Sequence, residues 1–299
     1  MQKEYEFLEK IMGTDLSISI VSSDPKIAEE ISEKIFSELK SYEEKFSRFI
    51  PESELSILNN KKSLKVSNQF IEVISEAKKI FTQTNGFFNP LLQISNHGYD
   101  RSFELLSELD DRNLETRKFD TDFDSVVIDS ENNLVKLEPN QKLDFGGFLK
   151  GFLAEKMARK YFNFSEKISG IIINIGGDIY TIGLDENNQV FRFSIFNPIT
   201  CKDDISVPIF NAGLATSGTY KRKWKHNGKD FNHILDKSGD KNPETENVSV
   251  SIINKSGSKA DSYTKIFFSS PPEQALKIVN DETKYIIINN KGEVTKNLN

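Results

Sequence analysis

Cysteine is nearly absent from this sequence, which contains only Cys201 among its 299 residues. A single thiol cannot form an intrachain disulfide, and it cannot build a zinc site from cysteines. It also does not distinguish a reducing compartment from an oxidising one. Histidine is scarce too, because only His97, His226 and His233 occur. A catalytic histidine, if the protein uses one, must be one of these three.

Long apolar runs and an excess of positive charge are also missing. No stretch approaches the roughly 20 apolar residues that cross a bilayer, and the N-terminal stretch lacks the apolar core of a secretion signal. The net charge is −6 and the pI about 5.4, which argues against nonspecific binding to nucleic acid or anionic membranes. We expect a cytoplasmic protein, or a periplasmic or membrane-anchored lipoprotein if an export segment has been removed.

The chain mixes helical and strand patterns, with no linker, repeat or low-complexity tract between them. Apolar residues recur every three or four positions from Pro25 to about Lys45 and from Ser67 to Asn85, which predicts two amphipathic helices. A short helix is expected after Ser53, another is considered at 102–110, and a last one is expected at 271–280. Strands are predicted on both sides of Met12-Gly13-Thr14 and at 125–129, 134–137, 170–175, 179–183, 190–197, 205–210, 246–253 and 284–289. The pattern predicts one α+β domain over residues 1–299, with helices packed on a large, mostly antiparallel sheet.

The segment LDFGGFLKGFLAEKMARKY, residues 143–161, is the most informative single stretch. Its glycine pair enters a helix that carries Lys150 in the first turn, and such an entry can cradle a phosphate with backbone N–H groups. The spacing matches neither the Walker A loop nor GxGxxG. On this stretch alone, a plain strand-to-helix connection with a solvated lysine is slightly favoured.

Four further motifs each leave a functional and a structural interpretation open. Asn174-Ile175-Gly176-Gly177-Asp178 suits a ligand site or a β-bulge, and Thr216-Ser217-Gly218 suits a phosphate or an ordinary turn. His233, with Asp236 three residues on, could act as a general base, although a lone histidine is more often structural. The polar stretch from Asp261 to Lys265 carries hard oxygen donors of the kind that bind magnesium, but a solvated entry into the apolar Ile266-Phe267-Phe268 is more common.

In their fixed order these motifs resemble the ApbE family of FAD:protein FMN transferases. The resemblance runs from residue 12 to about residue 270, and its most specific parts are the SRF…SELS…N, GGxxKG and NIGGD blocks. The matching segments are Met12-Gly13-Thr14, Ser47-Arg48-Phe49, Ser53-Glu54-Leu55-Ser56, Asn59, residues 85–90, residues 143–151, Asn174 to Asp178, Thr216-Ser217-Gly218, His233 and Ala260-Asp261.

The resemblance implies an ApbE-like (T-fold-like) domain and a flavin transferase, an enzyme of covalent flavinylation. Such an enzyme uses FAD as substrate, transfers its FMN half to a threonine or serine hydroxyl of a target flavoprotein as a post-translational modification, and releases AMP with the help of Mg²⁺. His233 and Lys150 would be catalytic, and the metal would take Gly147 through its carbonyl, Asp261 and Thr264. The FAD pocket would comprise Met12, Ser47, Phe49, Asn59, Lys150, Asp178, Thr216, Ser217, Gly218 and His233.

This chain departs from the family pattern at the predicted metal site. The family usually has threonine four residues after the metal aspartate, where this chain has Lys265, with Thr264 one position early. A lysine can replace the charge of a cation but not its coordination. Asp236-Lys237-Ser238-Gly239 lacks the usual proline, whereas Asn89 and Glu155 are milder changes. The alternatives are therefore a member that binds FAD without transferring FMN, a flavin carrier or accessory protein, and an FAD pyrophosphatase that uses water as acceptor.

Overall fold

The computed structural model describes residues 1–99, 118–226, 229–279 and 282–298, and it confirms the predicted α+β class. Its helices are α1 Pro25–Phe46, α2 Glu54–Lys61, α3 Asn68–Gln83, α4 Leu149–Phe162, α5 Gly257–Ser269 and α6 Pro272–Ile278, with 3₁₀ turns at Ile94–His97 and Phe123–Ser125. Its strands are β1 Lys3–Ile11, β2 Thr14–Ser22, β3 Ser63–Lys65, β4 Val127–Asp129, β5 Leu134–Lys136, β6 Ile168–Ile175, β7 Asp178–Gly183, β8 Phe191–Asn197, β9 Lys202–Ile209, β10 Gly213–Gly218, β11 Lys223–His226, β12 Lys229–Asn232, β13 Asn247–Asn254, β14 Lys284–Asn289 and β15 Val294–Asn297.

One antiparallel sheet of eight strands organises the fold, in the order β1-β2-β6-β7-β10-β13-β14-β15. Smaller sheets are formed by β3-β5-β4, by β8-β9 and by β11-β12. Helices α1, α4 and α5 pack on the large sheet. None of the helices within the described residues combines the length and the apolar character needed to cross a membrane.

Strand β6 shows why the sheet and its helices hold together. Ile171, Ile173 and Ile175 are fully buried, because alternate side chains of a strand point to the same face. Helix α1 presents a matching apolar stripe to β1 and β2, and Asp24 caps it by accepting a hydrogen bond from the N–H of Lys26 at 3.1 Å. The buried members of that stripe are Ala28, Ile31, Ile35, Leu39, Tyr42 and Phe46.

Helices α4 and α5 approach each other unusually closely. A Cβ atom on Gly151 would lie 2.2 Å from the carbonyl oxygen of Gly257, and a Cβ on Gly257 would lie 2.2 Å from that of Gly151. Only glycine at both positions permits this backbone contact. The crossing places the first turn of α4 directly beside the first half of α5.

The structure corrects the interpretation of three segments. Thr216-Ser217-Gly218 is not a turn but the end of β10, and Asp261 lies inside helix α5 rather than at a solvated break. The pair Gly176-Gly177 forms a tight hairpin turn between β6 and β7 instead of a bulge. The β11-β12 hairpin and β15 were not predicted. The helix considered at 102–110 lies outside the described residues.

Candidate active site

Two hairpin turns of the large sheet lie side by side at the base of the candidate site. Met12 and Gly13 turn β1 into β2 with φ of 51° and 66°, and Gly176 and Gly177 turn β6 into β7 with φ of 64° and 99°. The turns touch, because a Cβ on Gly176 would lie 2.4 Å from the hydroxyl oxygen of Thr14. The second turn delivers Asp178 as the first residue of β7.

Asp178 is buried, and it is paired with Lys150 from the first turn of α4. The Lys150 Nζ donates to Asp178 Oδ2 at 2.5 Å. Burial alone would lower the pKa of Lys150, but the carboxylates of Asp178 and Asp261 outweigh it and raise that pKa above its ordinary value. Burial, and then the charge of Asp261, raise the pKa of Asp178. The lysine therefore stays protonated between two carboxyl groups.

Helix α5 forms the wall of the site that faces α4, and it carries Asp261. The Asp261 side chain is only 1% exposed. Its Oδ2 accepts a hydrogen bond from the backbone N–H of Gly151 at 3.3 Å, across the contact between α4 and α5. Its Oδ1 is held by the ammonium of Lys265, one turn later in α5. Lys265 Nζ also donates to the backbone carbonyl of Asp261 at 2.8 Å. Both carboxylate oxygens thus already have donors within the protein.

The three residues predicted to ligate magnesium do not offer a divalent site in this arrangement. Thr264 is fully buried, and its hydroxyl donates to the carbonyl of Asp261 at 2.6 Å and lies 2.7 Å from the Ser217 hydroxyl. Asp261 is occupied by an ammonium, and Gly147 lies on the loop before α4 beside Phe88. Throughout the described ranges, no three or more His, Cys, Asp or Glu side chains cluster as metal ligands do. The donor set does not fit a divalent cation while Lys265 is in place.

His233 directly follows β12 and lies close enough to the charged residues for them to change its pKa. Burial, and then the positive charges of Arg222, Lys265 and Lys150, lower the pKa of His233 to about 3. Its Nδ1 is buried without a hydrogen-bond partner among the described residues. The imidazole is therefore neutral near pH 7.

The SRF segment after α1 forms a rim around the loop that precedes α4. Arg48 Nη1 lies 3.3 Å from Asp144 Oδ2, and the guanidinium stacks over the rings of Phe49 and Tyr99 at 4.6 and 4.9 Å. Phe49 is 45% exposed, which is unusual for so large an apolar side chain. The hydroxyl of Ser47 accepts a hydrogen bond from the Phe49 N–H at 3.2 Å, which fixes this turn.

Asn59 holds the loop that precedes α4 through two hydrogen bonds. Its amide donates to the carbonyl of Leu143 at 2.9 Å, and its Oδ1 accepts from the N–H of Leu143 at 2.7 Å. Thr216 is exposed on β10 and shares a hydrogen bond with the Ser251 hydroxyl at 2.8 Å. Gly218 packs against Tyr220, since a Cβ there would lie 2.3 Å from the ring.

The fold thus brings the predicted residues into one charged centre and a surrounding frame. Contacts or electrostatic effects join the residues of the charged centre, which are Lys150, Asp178, Asp261, Lys265 and His233. Thr264 lies beside Asp261 and is hydrogen-bonded to Ser217. Hydrogen bonds or ring contacts tie Ser47, Phe49 and Asn59 to the rim and the loop.

One residue of this centre was not predicted from the sequence. The charge of Arg222 acts on both Lys150 and His233. Its signal in the sequence is the basic run Lys221-Arg222-Lys223 shortly after Thr216-Ser217-Gly218.

Known proteins share this sequence pattern over nearly the whole chain. The FAD:protein FMN transferase of Escherichia coli strain K12 is 24% identical over 286 residues, which cover 91% of this chain and 80% of that protein. The FAD:protein FMN transferase of Salmonella typhimurium is 26% identical over 285 residues, with the same two coverages of 91% and 80%.

Solved structures share the fold. The crystal structure of the ApbE protein of Thermotoga maritima superposes with a TM-score of 0.85 at 24% identity, covering 98% of this chain and 97% of that one. The flavinyl transferase ApbE of Pseudomonas stutzeri, in its apo form, gives a TM-score of 0.80 at 16% identity, covering 99% and 95%. The sequence model of the ApbE family matches residues 12–288, and this chain belongs to the ApbE family.

Proposed function

We propose that this protein transfers the FMN half of FAD to a threonine or serine hydroxyl of a target flavoprotein and releases AMP. The observation that carries the proposal is the buried centre in which Lys150 and Lys265 alternate with Asp178 and Asp261, with neutral His233 beside them. Membership of the ApbE family and the names of the relatives from E. coli and S. typhimurium support the same reaction.

The proposed reaction is a substitution at the phosphorus next to the flavin. The acceptor hydroxyl oxygen forms a bond to this phosphorus, and the bond from it to the bridging pyrophosphate oxygen breaks. The bridging oxygen leaves with AMP. His233 is assigned to accept the proton of the hydroxyl, because its imidazole is neutral and the negative charge of bound FAD would offset the cations that lower its pKa.

Positively charged side chains contribute most to catalysis in the proposed reaction. Negative charge on the pyrophosphate shifts towards AMP as the bond breaks, and fixed cations stabilise that change. Lys150 is held in place by Asp178, and Arg222 acts on the same region. Burial excludes water from these pairs and strengthens their electrostatic effect.

The remaining predicted residues are proposed to hold the FAD. Exposed Phe49, stacked under Arg48, offers a flat apolar surface for a ring of the dinucleotide. Met12 lies at the hairpin turn beside the glycines that precede Asp178. Ser47 and Asn59 hold the rim and the loop in position and do not contact the FAD themselves. Thr216, Ser217 and Gly218 form the end of β10.

Magnesium, which the family resemblance implies, stays a prediction for this chain. The ammonium of Lys265 on Asp261 and the buried hydroxyl of Thr264 do not favour it. The proposed steps above therefore use only the protein's own groups.

The test is incubation of the purified protein with FAD and a flavoprotein domain that carries threonine-linked FMN in its native host, purified without flavin. We expect the acceptor to gain the mass of one FMN group, and AMP to appear in equal amount by chromatography. A variant acceptor with alanine in place of that threonine should gain nothing. AMP without acceptor labelling would instead identify a pyrophosphatase, and FAD binding without AMP a flavin carrier.

A further inference from the structure

The second ammonium of the site, that of Lys265, sits where a metal ion would be needed. It contacts Asp261 Oδ1 and donates to the Asp261 carbonyl at 2.8 Å. The aspartate is 1% exposed and the lysine side chain 20% exposed. The lysine thus contacts the buried carboxylate and is the more exposed member of the pair.

A divalent cation would have to displace this ammonium. Mg²⁺ demands nearly octahedral oxygen coordination at about 2.0–2.1 Å, and both oxygens of Asp261 already accept hydrogen bonds, from Lys265 and from Gly151. An ammonium in direct contact with the same carboxylate repels the ion. The Thr264 hydroxyl is fully buried and is already hydrogen-bonded to Ser217 and to the Asp261 carbonyl.

Lys265 can nevertheless supply the charge that such an ion supplies. An ammonium has three donors, and two of them point to Asp261 in the described structure. The third is available for a phosphate oxygen. With Lys150 and Arg222 nearby, the centre has three cationic side chains against the carboxylates of Asp178 and Asp261. This leaves an excess of one positive charge for an anionic ligand.

We propose that Lys265 is a built-in replacement for the divalent cation, so that this protein binds the pyrophosphate of FAD without metal. The inference rests on the proposed function, because it assumes that FAD is the ligand.

The first experiment uses the unaltered protein. FAD affinity is measured by quenching of flavin fluorescence after exhaustive EDTA treatment, and again with millimolar Mg²⁺. We expect the two dissociation constants to agree within about twofold, far less than the tenfold change that corresponds to about 1.4 kcal/mol. If Mg²⁺ lowers the dissociation constant for FAD tenfold or more, the inference is overturned.

The second experiment changes the lysine. Lys265→Thr removes the ammonium and supplies a hydroxyl, whereas Lys265→Met removes the ammonium and supplies no ligand. Both should weaken FAD binding in EDTA by about tenfold or more, and Mg²⁺ should restore it only in Lys265→Thr. Lys259→Thr is the matched control, because it removes the same charge from the same helix, where the structure shows no contact with Asp261. It should bind FAD as the unaltered protein does.

A direct metal readout separates this inference from the proposed function. Electron paramagnetic resonance of Mn²⁺ in the presence of FAD should show free ion with the unaltered protein and bound ion with Lys265→Thr. Bound Mn²⁺ in the unaltered protein would overturn the inference alone. If folded protein, checked by circular dichroism, binds FAD under no condition, both the inference and the proposed function fail.

Discussion

The two helical walls of the site, the start of α4 and the middle of α5, hold their cations in different ways. The α4 wall carries the GGxxKG motif, and its Lys150 pairs with Asp178 at the start of β7. On the α5 wall, Lys265 holds Asp261 of the same helix, one turn earlier. The two walls touch at Gly151 and Gly257.

The difference lies in where the partner of each cation comes from. On α4 the cation is fixed by an aspartate of the sheet. On α5 the cation comes from the same helix as its aspartate, because residues four apart lie on one helical face. Both walls end with a buried pair of opposite charges.

The largest effect is expected from Lys150→Met. It leaves Asp178 buried without its partner, and breaking a buried pair costs about 3–5 kcal/mol. We expect an unfolding free energy lowered by that order in urea titrations, together with loss of FAD binding. Lys156→Met on the same helix removes a half-exposed pair with Glu72 and should cost about 1 kcal/mol or less. Equal losses in the two variants would show that Lys150 contributes no more than a surface lysine.

Gly151→Ala should separate the two walls. The new Cβ would lie 2.2 Å from the Gly257 carbonyl and 2.8 Å from the Asp261 Cβ, and overpacking of this kind costs about 1–3 kcal/mol. We expect a lower midpoint of thermal unfolding and weaker FAD binding. Gly146→Ala is the control, since its Cβ would meet only the Asp144 carboxylate, at 3.1 Å. A Gly151→Ala protein as stable as the control would contradict the close crossing of α4 and α5.

His233→Asn should make the protein less sensitive to acid. The pKa of His233 is lowered to about 3 in the folded protein, so between about pH 6.5 and pH 3 the unfolded chain binds the proton and the folded one does not. The stability that neutral His233 permits is therefore present above about pH 6.5 and is lost as the pH falls. We expect the unaltered protein to lose about 1–3 kcal/mol more than the variant between pH 7 and pH 4.

Urea titrations at each pH measure this difference. The two curves should run parallel above pH 7, where the imidazole is neutral in both the folded and the unfolded state. Curves that stay parallel down to pH 4 would mean that burial and the cationic neighbours do not lower the pKa of His233 in the folded protein.

The smallest effect is expected from Thr264→Val on the α5 wall. The change removes hydrogen bonds to Ser217 and to the Asp261 carbonyl, and a typical hydrogen bond contributes about 0.5–1.5 kcal/mol. Stability should fall by about that much, with no change in the response of FAD binding to Mg²⁺. Ser217→Ala serves as control, because it removes the same contact from the other side. Loss of a metal response in Thr264→Val alone would establish Thr264 as a ligand.

Much of the fold could be predicted because local patterns dictate it. The apolar stripe of α1 and the alternating isoleucines of β6 each match a single secondary structure, and both were placed within two residues of their bounds. Helix α5 was missed because its first half buries small polar residues such as Ser258 and Ser262. Their hydroxyls are satisfied by hydrogen bonds, as when Ser262 donates to the Ser258 carbonyl at 2.7 Å. Burial of that kind leaves no apolar period in the sequence.

The sequence by itself determined most of the elements before α5, the family and the residues with chemical potential, because these depend on local pattern and on motif order. Only the tertiary structure decided which of those residues meet. Lys150 and Asp178 are 28 positions apart, and Gly151 and Asp261 are 110 apart. The contact between α4 and α5 brings these pairs together, and the same packing directs Thr264 to Ser217 and leaves Asp261 to Lys265. Partners distant in sequence are selected by packing and by the burial of charge, which no local pattern encodes.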